Sequence, residues 1–221
     1  MDFMEKYTHV VWDFNGTLYD DVDACIRSAN RLLSAHGLKR FETVEEYRHS
    51  FGFPIIDYYV RMGFDFSKTP YDELAVEWVG YYMEESRAST AYEGAVDVLA
   101  ELKKRGIGQI LLSASEERML RAQVETLGLM PYFCEVLGQD TIHAYGKREI
   151  GCAWREKHSS ERVLLIGDTE HDAEVARAMG ADCVLLSCGH RPREILNGCG
   201  ALAVCCTHGE LLALLCESIN A

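Results

Sequence analysis

The spacing of apolar residues changes twice along the chain. The run Val10-Val11-Trp12 is unbroken and stops at Asp13, which predicts a short buried strand. From Asp20 to about Ser89 the spacing becomes helical. Ala24, Ile26, Ala29, Leu32 and Leu33 share a face that stops at Gly37, and Val44 and Tyr47 mark a second helix. A third helix is expected after Pro54, and a fourth through Leu74, Val76, Trp78, Tyr81 and Tyr82. No strand is expected in this stretch.

After Ala91 the two periods alternate. Val96, Leu99 and Leu102 form a helical face ending at Gly106, followed by a strand over 107–112 and a helix over 119–127 closed by Gly128. Strands are then expected over 135–137, 163–166, 183–186 and 201–205, with helices over about 147–157, 172–179 and from Glu210. This order predicts an α/β fold with a doubly wound parallel sheet. The all-helical stretch reads as an insertion, so residues 1–18 and 90–221 form the core and 19–89 a separate helical unit. Ligands of such sheets bind beyond the carboxyl ends of the strands.

Composition narrows the partners. The chain has 221 residues, 48% hydrophobic and 26% charged, enough for a sizeable core. Its formal net charge of −13 repels nucleic acid and anionic membrane, leaving small molecules as partners of a monomer or homodimer. The opening residues are too polar for a secretory leader, and no transmembrane segment is visible, so a cytoplasmic protein is expected. The nine cysteines lack paired CxxC spacing and are expected to be mostly buried, reduced thiols.

The chemistry gathers at the expected strand ends. The first ends in Asp13-Phe14-Asn15-Gly16-Thr17, the second in Ser113, and the 163–166 strand in Gly167-Asp168 with Asp172 four residues on. One such Asp alone would read as a helix cap. Carboxylates from several strand ends converge on one crevice, and hard oxygen ligands on a partly hydrated site suit Mg²⁺. His143 and His171 match no metal motif and are expected on the surface.

In these motifs the chain resembles the haloacid dehalogenase superfamily, most nearly its phosphoglycolate phosphatase type with a small helical cap. Asp13-Phe14-Asn15-Gly16-Thr17 is similar to its DxDxT signature, Ser113 to the strand-end Ser/Thr, Gly146-Lys147 to the helix-opening Lys, and Gly167 to Asp172 to GDxxxD. The resemblance implies a phosphatase-type hydrolase of a small phosphorylated metabolite, with Asp13 as nucleophile and an aspartyl-phosphate intermediate. It implies Mg²⁺ as cofactor, held by Asp13, the Asn15 backbone carbonyl and Asp168, with Asp172 holding a metal-bound water or orienting Lys147. Ser113 and Lys147 would contact the phosphoryl group, with Ala114 beside them, and backbone N–H groups near Phe14 and Gly16 would cradle its oxygens. Substrate choice would come from the cap, where Arg48, Phe53, Tyr58, Tyr59 and Arg61 lie near the substrate-facing loop; Tyr58 and Tyr59 read equally as helix packing.

Asn15 departs from the family pattern, which places an acid there. An amide has no proton to transfer at neutral pH, and general acid–base catalysis is typically worth ~10²–10⁴-fold. Alkyl phosphates would suffer most, aryl or acyl phosphates less. Three readings stay open: a phosphatase that works without this acid, another reaction of the superfamily such as C–P bond hydrolysis (for which the cap offers Lys39 and Lys68), and a phosphate-ligand-binding or sensing protein.

Overall fold

A computed structural model describes residues 3–143 and 146–216. One sheet runs through it in the order β3-β2-β1-β4-β5-β6. Its strands are β1 (His9–Trp12), β2 (Gly108–Glu116), β3 (Glu135–Gln139), β4 (Val163–Gly167), β5 (Asp182–Leu186) and β6 (Ala203–Cys205), and every pairing is parallel. Residues of β1 alternate between the two faces. Val10 and Trp12 join the core on one side, together with Leu99 and Leu211; Val11 joins that on the other, with Trp154, Val175 and Leu165. Burial on both faces explains the unbroken apolar runs of the central strands. Strand order reverses on either side of β1, so the crevice lies at the carboxyl ends of β1 and β4.

Between β1 and α5 (Ala95–Lys104) the chain leaves the sheet for four helices: α1 (Val22–Ala35), α2 (Val44–Ser50), α3 (Ile55–Arg61) and α4 (Tyr71–Glu85). Exit and return run side by side. Asp20 N donates to Thr90 O at 2.9 Å, and Tyr92 N donates to Leu18 O at 3.0 Å. Helices α1 and α4 pack together and are laced by Arg27 and Arg31 to Glu84 and Glu85. The fold is the doubly wound core with an inserted helical cap. Further helices α6 (Glu117–Thr126), α7 (Arg148–Lys157), α8 (Glu170–Met179), α9 (Arg193–Leu196) and α10 (His208–Cys216) complete the core.

Three local expectations are corrected. Strand β2 does not stop at Leu112; it continues through Ser113 to Glu116, with its pairing to β3 slipping between Leu112 and Glu116. The apolar run ends at Leu112, but Ser113 is still buried and the strand continues on backbone geometry that apolar spacing does not register. Helix α8 begins two residues early because Thr169 and Asp172 cap it reciprocally. All nine cysteines are free, but Cys25, Cys183 and Cys205 alone are buried. No helix among the described residues is long and apolar enough to cross a membrane.

Candidate active site

Asp13 stands just beyond β1, Asp168 just beyond β4, Asp172 in the first turn of α8, and Lys147 at the start of α7; all four are buried. Lys147, 2% exposed, points Nζ at the Asp13 carboxylate, at Asp172 Oδ1 (2.7 Å) and at the Leu112 carbonyl (3.2 Å). The second Asp172 oxygen accepts from the backbone N–H groups of Asp168 and Thr169 and from the Thr169 hydroxyl. Asp172 is thereby fixed by the helix start, and it fixes Lys147 in turn. Thr17 Oγ1 lies 3.1 Å from both Asp13 Oδ2 and Asp168 Oδ1. Gly16 turns the chain with φ +73°, and a Cβ there would stand 2.3 Å from Asp168 Oδ2, so only glycine permits the approach. Ser113 Oγ accepts from Ser115 N at 3.1 Å, leaving its own proton to donate.

Three buried carboxylates therefore face one ammonium. Oxygens of Asp13, Asp168 and Asp172 lie within 4.8 Å of one another. Burial pushes Asp13 up to about 6 despite Lys147, and pushes Asp168 well above the carboxylate range. Burial would raise Asp172 too, but Lys147 outweighs it and holds Asp172 low. The excess negative charge and all-oxygen donor set fit a divalent cation.

Asn15 is locked in a second network that sequence reasoning missed. Its Nδ2 donates to Asp21 Oδ2 at 2.7 Å and to Tyr82 Oη at 2.8 Å, and its Oδ1 accepts from Ser115 Oγ at 2.9 Å. Asp21, fully buried, also accepts from Gly16 N at 2.9 Å and from Tyr82 Oη at 2.7 Å. His190 Nε2 lies 3.5 Å from Asp21 Oδ1, and His190 Nδ1 pairs with Tyr47 Oη at 2.9 Å. Burial would raise Asp21, but hydrogen bonds from His190, Asn15 and Tyr82 hold it below the usual carboxylate range. Burial would lower His190, yet Asp21 and Asp168 raise it. Gly16 N–H, expected to cradle a phosphoryl oxygen, is committed to Asp21 and to Tyr19 O. The Phe14 ring is buried and stacked on Tyr19. Asn15 with an acid six residues later was the one available signal, since Ser115 and His190 come from distant segments.

A cavity of about 140 Å³ opens from Asp13 toward the cap. Ser113, Ala114, Phe53, Tyr58 and Tyr59 line it, whereas Arg48 and Arg61 do not. Arg48 donates to Cys188 O at 2.6 Å, and Arg61 donates to the carbonyls of Ser50 and Gly52, fastening the cap loop instead. His143 and His171 are not surface residues but cavity walls; His171 stacks on Phe53 with ring centroids 4.4 Å apart. Both are half-buried by the cap, His171 under Phe53 and His143 against Tyr71 and Asp72 of α4, which sequence spacing does not reveal.

Residues 10–186 match the family model of the haloacid dehalogenase-like hydrolases. A phosphoglycolate phosphatase of Mesorhizobium japonicum is 25% identical over 84% of this chain and 85% of its own length. One of Pseudomonas fluorescens is 27% identical over 82% of this chain and 70% of its own. The fold superposes on a haloacid dehalogenase-like hydrolase of Streptococcus pneumoniae with a TM-score of 0.81, at 19% identity over 95% of this chain and 99% of that one. The chain belongs to the haloacid dehalogenase-like hydrolase family, as a phosphatase-type enzyme similar to the phosphoglycolate phosphatases.

Proposed function

We propose that the protein is a Mg²⁺-dependent hydrolase of a small phosphorylated metabolite that works through an aspartyl-phosphate on Asp13 and without a side-chain acid at position 15. The observation that carries this reading is the Asp13–Lys147–Asp172 contact beside Asp168, built at the switch point of the sheet. Asp13, Asp168 and the Asn15 backbone carbonyl would hold the ion, which when bound supplies positive charge between nucleophile and phosphoryl oxygens. The Ser113 hydroxyl orients the phosphoryl group, while Lys147 lends it nearby positive charge and keeps Asp13 ionised and aimed. Asp172 acts by orienting Lys147. The Asn15 carboxamide, held on three sides, stays out of proton transfer and fixes the loop whose backbone carbonyl would hold the ion. The curated relatives, named as phosphoglycolate phosphatases, support a small phosphorylated substrate. The net charge of −13 supports an enzyme acting on neither nucleic acid nor membrane.

The test is phosphate release from acetyl phosphate, whose leaving group needs no acid. Release should require both Mg²⁺ and Asp13 and vanish in Asp13→Ala. Turnover that persists in Asp13→Ala would refute the assignment.

A further inference from the structure

Phe53, Ile55, Tyr59, Tyr71, Trp78 and Val79 of the cap form one wall of the cavity, and Glu116, His143 and His171 of the core line the rest beyond Asp13. Tyr59 and Tyr71 meet edge to face with centroids 5.4 Å apart, and Trp78 stacks on Tyr82 at 4.9 Å, so the rings are held in place. The whole cavity, its Asp13 end included, is about 140 Å³, so a leaving group held beside the phosphoryl group is small, on the order of one ring. Among the described residues no arginine lines the cavity. Its lysine, Lys147, is committed to Asp13, Asp172 and the Leu112 carbonyl, His190 to Asp21 and Tyr47, His143 to Asp72 and His171 to Glu174. A leaving group bearing a carboxylate would be buried there without a cation, which is costly.

A second observation concerns the leaving oxygen. The carboxamide of Asn15 has both N–H groups engaged and no proton to transfer. A phenol has a pKa of about 10, against about 15.7 for water-like hydroxyls, so a phenolate departs unassisted where an alkoxide does not.

Resting on the reading of Asp13 as a phosphatase nucleophile, we propose that the substrate is a small aryl phosphate monoester whose ring fills the cap cavity. Asp13 forms a bond to phosphorus while the aryl P–O bond breaks, and the electron pair leaves as phenolate, which takes a proton from water. Water then attacks phosphorus, the P–O bond to Asp13 breaks, and phosphate and the free carboxylate result. The products are a phenol and inorganic phosphate, with no redox change.

The experiment compares phenyl phosphate, benzyl phosphate, 2-phosphoglycolate and acetyl phosphate on the full chain with Mg²⁺. Phenyl phosphate should exceed 2-phosphoglycolate in kcat/KM by at least ~100-fold, the low end of what a general acid supplies. Benzyl phosphate should keep a KM near that of phenyl phosphate with a much lower kcat. Trp78→Ala should lower kcat/KM for phenyl phosphate about tenfold more than for acetyl phosphate, and Val79→Arg should shift the ratio toward 2-phosphoglycolate. Turnover of acetyl phosphate with 2-phosphoglycolate equal to or better than phenyl phosphate overturns the aryl assignment and leaves the nucleophile standing. Binding is measured separately by calorimetry with two inert phosphonates. If no ester turns over yet phenylphosphonate binds at least tenfold tighter than phosphonoacetate, the phosphatase reading fails and the ring pocket stands. Equal or reversed affinities overturn the pocket.

Discussion

Placing an acid at position 15 is the obvious way to strengthen this site, yet the structure predicts that Asn15→Asp alone weakens the protein. The new carboxylate would replace an N–H donor that lies 2.7 Å from Asp21 Oδ2. Two unit charges at that separation repel by about 6 kcal/mol at an effective dielectric constant of ~20. One of the pair escapes by taking a proton, which limits the cost to about 1.4 kcal/mol per pH unit above a free pKa of ~3.9. The ceiling is therefore about 4 kcal/mol at pH 7 and about 1.5 kcal/mol at pH 5. His190, 3.5 Å from the other Asp21 oxygen, offsets part of it. The sign follows from a folded-state pKa raised above the unfolded one: the loss is absent below pH 4 and grows as pH rises. Adding Asp21→Asn returns a carboxamide donor opposite the new acid and should recover most of the stability. The assay is urea unfolding with chelator present, at both pH values, on wild type, both single variants and the double variant. Coupling between the two positions of at least 1 kcal/mol is expected, within the range for contacting residues of about 0.5–3 kcal/mol. An Asn15→Asp protein as stable as wild type at pH 7 would refute the argument.

Other consequences are direct. Burial holds Asp13 up to about 6, and the nucleophile must be ionised. The pH profile of kcat/KM should therefore fall tenfold per unit below that value, and raising Mg²⁺ should move this limb to lower pH, because the ion binds the carboxylate form. Lys147→Met leaves Asp13 and Asp172 buried without their cation. Denaturant unfolding should show a loss of about 3–5 kcal/mol, together with loss of turnover. Thr17→Val removes the hydroxyl between Asp13 and Asp168; calorimetry should show Mg²⁺ affinity reduced by roughly 10–100-fold, as for other groups that orient metal ligands.

The core was legible in the sequence because its strands are buried on both faces and so appear as apolar runs, each ending abruptly at a polar residue. That punctuation located Asp13 and Asp168 directly. Asp172 and Lys147 could be placed only through motif order, since nothing local distinguishes a buried lysine from a solvated one at a helix start. The Asn15 network was not legible. Asp21, Ser115 and His190 come from the residue before α1, from β2 and from the loop after β5, and only the folded sheet brings them together. The aromatic density of residues 51–82 was visible, but which rings would face Asp13 depended on how the cap settles over α8. For the same reason His171 reads as a surface residue in sequence and is a cavity wall in the structure.

The most direct measurement is to acid-quench the enzyme during turnover of acetyl phosphate with Mg²⁺ and locate the phosphoryl group by peptide mass spectrometry. The account predicts a transient acid-stable adduct on Asp13, absent without Mg²⁺ and absent in Asp13→Ala. A phosphoryl group on another residue, or steady turnover with none on Asp13, would contradict it.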